Sequence, residues 1–219
     1  MRPALNALNE DKRPIRAKRA QERSRETCRK IVKAGLKLWS ERGFEVGFDA
    51  TRVEEIAELA GISRGTVYYY FPKKEDILRE LAWITAEEIH EYALRAIESG
   101  QSVDAALDEI LQELGAKVSK AERAAVRRML QVRSDDPESV KRSFAAGGLM
   151  RAFSSVISRA RENGELPQHV NVGELAEILS SLCMGAIAKW TIVDDIDLPG
   201  ALRRSGAFAL AGARHFDKA

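Results

Sequence analysis

Between Ser63 and Lys74 the chain places a serine, an arginine, a glycine, a threonine, three consecutive tyrosines and two lysines among its residues. This set holds no general base and no metal ligand set. It holds hydrogen-bond donors, a cation and aromatic faces around one small residue. Such groups suit phosphate oxygens, base edges and thymine methyls. A helix that enters a DNA major groove needs a slim N-terminal turn carrying donors. Ser63, Arg64, Gly65, Thr66, Tyr68, Tyr69 and Tyr70 have that composition. On residue types alone, a helical hairpin with an exposed aromatic patch would look the same.

The flanking residues supply the elements that hold this stretch. Thr51 is expected to N-cap a short helix, with Glu54 closing a capping box. Val53, Ile56, Ala57 and Ala60 then fall on one apolar face. Gly61 can take positive φ and stop that helix. Ser63 is expected to N-cap the next, and Ile62 and Val67 to pack it onto the first. Pro72 fits the opening of a following helix, where Lys73 and Lys74 also stand. Upstream, residues 22–42 read as a long helix with Ile31, Ala34, Leu36, Leu38 and Trp39 apolar. Arg23, Arg25 and Lys30 are its exposed cations.

The run Gly61–Leu78, GISRGTVYYYFPKKEDIL, closely resembles the helix-turn-helix signature of the tetracycline-repressor (TetR) family of bacterial transcriptional regulators. Ile31–Phe44, IVKAGLKLWSERGF, resembles that family's first helix. The resemblance implies a three-helix DNA-binding head in which Arg64 and Thr66 meet base edges or adjacent phosphates. Tyr69 and Tyr70 would then meet phosphates and thymine methyls, and Thr51, Arg52 and Lys74 would clamp the backbone. It places a phosphate-contacting lysine at Lys74. Tyr68 is left open between packing inward and reaching a phosphate. One departure stands out. GFEV is followed by the similar GFDA before Thr51, about four residues more than the family pattern, so either the first helix gains a turn or the loop is longer.

Composition agrees with two tasks in one chain. The chain has 219 residues, 45% of them apolar, and a net charge of +2. Residues 1–80 hold 18 Lys+Arg against 13 Asp+Glu, whereas residues 81–219 hold 17 against 20. A basic head on a mildly acidic body fits nucleic-acid binding by the head. Residues 1–21 read as a flexible basic arm whose Arg13, Arg16, Lys18 and Arg19 either reach DNA or stay solvated. No long apolar run or leader-like h-region is present, so a cytoplasmic protein without membrane contact is expected. Cys28 and Cys183 fit no metal or redox spacing. His90, His169 and His215 are scattered, no phosphate loop or nucleophile elbow occurs, and Asp194, Asp195 and Asp197 read as helix caps. The expectation is therefore no enzyme, no metal and no cofactor.

The remainder reads as all-α, about nine helices in total, with a helix-turn-helix domain over 22–74 and a helical ligand-binding and dimerisation domain over 75–219. One helix is expected to run from about Pro72 to Ser99 and to act as a lever between head and body. Others start at Ser102 and about residue 119, and a long one follows Pro137 with Gly147 and Gly148 inside it. Asn171 and Asp197 begin the last two. The final helix carries Ala201, Gly206, Ala207, Ala209, Ala211, Gly212 and Ala213, which permit close backbone approach. Those two helices look like a dimer interface, and the resemblance implies a four-helix bundle between two subunits. It also places an effector pocket in the body; Trp83, Leu111, Met129, Phe153, Met184 and Trp190 are candidate lining residues, and their apolar character points to a hydrophobic or aromatic small molecule as effector. The function implied is a homodimeric, effector-released regulator of a near-palindromic operator, most simply a repressor. A protein-binding helical adaptor, or a ligand-independent or activating regulator, are the alternatives.

Overall fold

In a computed structural model of the protein, residues 13–134 and 148–215 are described, the side chains of residues 13–21, 133 and 134 excepted. Ten α-helices occur among the described residues and no strand does. They are α1 (Arg13–Glu41), α2 (Phe44–Ala50), α3 (Val53–Ala60), α4 (Arg64–Tyr70), α5 (Lys74–Glu98), α6 (Val103–Ser119), α7 (Arg123–Ser134), α8 (Leu149–Glu162), α9 (Val172–Trp190) and α10 (Leu198–His215). The chain divides into two compact units, Met1–Glu80 and Leu81–Ala219, and the division falls inside α5 rather than before it.

Three features differ from expectation. Helix α1 begins at Arg13, inside the segment expected as a flexible arm. Pro14 is tolerated in a first turn, and the following residues contain no further proline or glycine until Gly35. Residues 1–12 and the side chains of Arg13, Arg16, Lys18 and Arg19 lie outside the described residues. The roughly four extra residues of the GFEVGFDA stretch neither extend α1 nor lengthen a loop. Phe44–Ala50 folds as a separate short helix, α2. Gly148 does not lie within a helix. It precedes α8 at φ 69°, ψ −147°, a conformation open to glycine and strained for other residues. Residues 135–147, Gly147 among them, lie outside the described residues.

The head is built on Trp39, which has no exposed surface. Phe44 and Phe48 of α2 meet its ring edge-on, with centroids 5.8 and 4.8 Å away. Such pairs add about 0.5–1.5 kcal/mol each beyond the area they bury. Gly47 lets α2 lie directly on the backbone of α1: an added Cβ would stand 2.8 Å from Trp39 Cα. Ile31, Val32, Ala34, Ile56, Ala57, Val67, Phe71, Ile77 and Leu78 are the other buried apolar residues described in this unit.

The body has its own core, drawn from α5 to α10. Helices α6 and α10 make its most extensive pairing. Two glycines allow it. Gly115 faces Pro199, where a Cβ would meet Pro199 Cα at 2.5 Å, and Gly206 accepts the side chain of Leu111. Asp104 and Arg214 form a two-pronged ion pair between these helices, at 2.9 and 2.5 Å. At the end of α9, Arg127 Nη2 donates to the Thr191 carbonyl at 2.6 Å, and Arg123 Nη1 donates to the Val193 carbonyl and Asp194. Cations there satisfy carbonyls that the helix leaves open.

Because the atoms facing Gly47 are backbone, they have nowhere to move. Gly47→Ala should destabilise the head by about 1–3 kcal/mol, read as a lowered midpoint in thermal or urea unfolding. An unchanged midpoint would mean that α2 shifts freely on α1.

Candidate nucleic-acid interface

Helices α3 and α4 meet at a sharp turn whose chemistry is local. Gly61, at φ 68°, ends α3, and its N–H and that of Ile62 bond back to the Glu58 and Ala57 carbonyls. Ser63 then N-caps α4: its Oγ accepts the Thr66 N–H at 3.0 Å and lies 2.8 Å from Thr66 Oγ1. Val67 is buried and anchors the inner side of α4. The outer side carries Arg64 and Gly65, both exposed, with Thr66 half-buried. Tyr69 is 82% exposed, and Tyr70 meets it edge-on at 5.1 Å. Tyr68 is exposed too, so it does not pack inward.

Arg64 is already engaged. Its Nη1 lies 2.9 Å from Glu54 Oε1, and its guanidinium carbon stands 5.3 Å from the centre of the Tyr68 ring. Glu54 was expected to close a cap on Thr51. The cap is displaced by one residue instead. Arg52 is the N-cap of α3, and Glu55 Oε2 accepts the Arg52 N–H at 2.8 Å. Glu55 also binds Arg42 at 3.0 Å, and these bonds hold its carboxyl below the usual carboxylate range. The displacement follows from α2, which takes Thr51 as its own C-terminal residue. Thr51 is buried and its hydroxyl donates to the Gly47 carbonyl at 2.7 Å. Thr51 is therefore withdrawn from the surface on which a DNA contact was expected. Arg52 remains exposed on it.

Lys74 is likewise redirected. Its Nζ donates to the carbonyls of Phe48 at 2.5 Å, Thr51 at 3.0 Å and Asp49 at 3.1 Å, and lies 5.1 Å from the Phe48 ring centre. An ammonium has three donors, and all three are used on the C-terminal end of α2. The lysine left exposed at the start of α5 is Lys73, whose N–H donates to Asp76 Oδ2 at 2.9 Å. Neither the Glu54–Arg64 pair nor the Lys74 cage was legible in the sequence. Both join residues on different helices, and no periodicity links them.

The six body residues expected to line a pocket do not form one group. Leu111, Phe153 and Trp190 belong to the buried core, with Met129 packed at its margin. Leu111 fills the notch above Gly206, and the guanidinium of Arg123 lies 5.0 Å from the Trp190 ring centre. Packing thus accounts for both. Trp83 is 43% exposed and Met184 is half-buried. A shallow cleft of the body is bordered by Ile97, Gln101, Val103, Ala106, Arg159 and Glu165 and contains none of the six. Burial pushes the Cys183 thiol up to about 12, and burial with the nearby Glu80 carboxylate raises Cys28 also. No group of three His, Cys, Asp or Glu side chains among the described residues is placed to hold a metal ion. No helix among them is long and apolar enough to cross a membrane.

An N-terminal unit with a capped helix-turn-helix, joined to a larger helical unit, defines the class: a two-unit helical DNA-binding regulator. Residues 31–81 match the bacterial regulatory proteins of the tetR family. The HTH-type transcriptional regulator TtgR of Pseudomonas putida is 26% identical over 196 residues, covering 85% of this chain and 91% of the relative. Among solved structures, Thermus thermophilus FadR, a TetR-family repressor in complex with lauroyl-CoA, superposes with a TM-score of 0.71 at 23% identity, covering 88% of this chain and 97% of that one. The SmeT–triclosan complex gives 0.60 at 18% identity, covering 85% and 91%; SmeT is the repressor of a Stenotrophomonas maltophilia multidrug efflux pump. Residues 31–81 thus carry the tetR-family DNA-binding region, and over most of its length the chain is similar to TetR-family transcriptional regulators.

The three-carbonyl cage gives Lys74 a structural task. Lys74→Met should lower head stability by about 1.5–3 kcal/mol, the range for hydrogen bonds to a charged group. The salt dependence of DNA binding should stay as in the parent chain, whereas loss of a phosphate contact would reduce the log–log slope by about 1. Thermal unfolding and a salt titration of binding separate the two outcomes.

Proposed function

We propose that this chain is a cytoplasmic, homodimeric regulator, most simply a repressor, that reads a near-palindromic operator through α4 and is released by a small hydrophobic effector. The observation that carries the reading is the outer face of α4. Arg64, Gly65 and Tyr69 are exposed on one capped, anchored helix, with Thr66 half-buried beside them. In a dimer, two such helices would enter successive major grooves roughly 34–36 Å apart. Arg64 and Thr66 take the base-edge role. Ser63, Tyr68, Tyr69, Tyr70, Arg52 and Lys73 supply backbone contacts.

Dimerisation is assigned to the exposed apolar faces of α9 and α10. Ile178 and Leu182 of α9 are 46% and 40% exposed, and Phe208 of α10 is 78% exposed with Ala211 and Gly212 beside it in the helix. The small residues of α10 divide between two faces. Gly206, Ala209 and Ala213 serve the core of the subunit, and Ala207, Ala211 and Gly212 remain outside. Exposed large apolar side chains on neighbouring helices favour an interaction surface.

For the effector, the FadR structure in complex with lauroyl-CoA and the SmeT–triclosan complex support a ligand with an apolar portion, and we assign its reception to the body. Met129 and Met184, half-buried and flexible, are the members of the expected set best able to adapt to a guest. Release follows if the effector prefers a conformer in which the two heads are mis-spaced, by as much as its affinities for the two conformers differ.

Selection from a randomised duplex library, with a salt titration and a measurement of oligomeric mass, tests this function. A palindrome with dimer-compatible spacing is expected, and weak binding erased by salt without any enriched sequence would refute it. On the selected duplex, Arg64→Ala should cost about 1–3 kcal/mol and relax preference at one position of each half-site. Phe208→Asp should shift the chain to the monomer mass in light scattering. A dimer that persists in that variant would move the interface elsewhere.

A further inference from the structure

Glu54 is an acidic side chain on the face that meets DNA in the function proposed above, and the inference rests on that reading. An exposed carboxylate near phosphates is repelled by them, so its place there calls for a compensating task. The geometry supplies one. Glu54 stands in the first turn of α3 and holds Arg64 Nη1 at 2.9 Å, while Tyr68, one turn further along α4, lies beneath the guanidinium at 5.3 Å. The two partners come from different helices and fix different degrees of freedom. Tyr68 restricts the tilt of the guanidinium plane, and Glu54 restricts its direction within that plane. One Nη1 donor is spent. A guanidinium carries five N–H donors, so the opposite edge keeps a pair suited to the two acceptors on the major-groove edge of guanine. An untethered arginine at the same place would swing to a phosphate, which rewards positive charge without regard to sequence.

We infer that Glu54 is a positioning residue for base reading: it orients Arg64 toward a guanine and denies it to the phosphates, so that sequence discrimination rises while general affinity for DNA falls. Glu58 is the natural control. It is exposed on the same helix, and its side chain has no partner among the described residues.

The test uses the full-length chain and duplexes selected from a randomised library by the parent protein. Glu54→Gln removes the charge and keeps the shape. Its affinity for a scrambled duplex should rise about two- to fivefold, one charge's share of the phosphate field. The ratio of selected to scrambled affinity should fall about tenfold, with the loss concentrated at one guanine per half-site. Glu58→Gln should raise affinity for both duplexes alike and keep the ratio. In an Arg64→Ala background, Glu54→Gln should leave the base preference unaltered, because the two side chains act as one unit. Circular dichroism melts of each variant confirm that the head is folded. An unchanged discrimination ratio in Glu54→Gln, with the parent still selecting a sequence, overturns this inference alone. A parent chain that selects no sequence overturns the reading on which it rests.

Discussion

The ammonium of Lys74 is the fixed point of the head. Three carbonyls at the end of α2 converge on one charge at the start of α5. Those carbonyls have no partner within their own helix, and an unpaired carbonyl removed from water is destabilising by an amount comparable to a lost hydrogen bond. With them satisfied, α2 can end abruptly at Thr51, and α3 can begin two residues later. The turn from α3 to α4, and with it the orientation of the recognition face, follows from that spacing.

Much of the head was legible because its signals are local. Gly61 at positive φ, Ser63 as a cap and Val67 as an anchor are i to i+3 or i+4 events, and each stands where the residue types place it. The unforeseen contacts arose where a second helix intervened. Thr51 has the side chain of an N-cap, but the extra GFDA residues give it a carbonyl of the preceding helix to bond instead. Lys74 has the position of a phosphate-binding residue, yet the same extra residues put three carbonyls nearer to hand. In both cases a departure from the family pattern, visible in the sequence, changed the partners of residues that themselves matched it.

The body was legible as helices and caps and much less as a binding site. Ser102, Asn171 and Asp197 begin their helices as the sequence implies. Apolar periodicity identifies which residues face inward. It does not say whether they meet another side chain or a guest molecule, and so Leu111 and Trp190, engaged by Gly206 and Arg123, read the same as pocket residues would. The small residues of α10 show the complementary ambiguity: composition indicates close approach, and only the packing of α6 shows that Gly206 is used within the subunit.

The aromatic nest of the head has one more consequence, for spectroscopy. The three tryptophans occupy three different surroundings. Trp39 is sealed among Phe44 and Phe48, Trp190 lies in the body core under a guanidinium, and Trp83 is partly in water. Indole emission shifts with the polarity of its surroundings, so the chain carries a separate intrinsic reporter in each of its two units and a third open to solvent. Trp39 and Trp190 are both buried and both emit toward the blue, so in a Trp190→Phe variant the blue component belongs to the head alone and its loss can be followed apart from the melting of the body without attaching a dye.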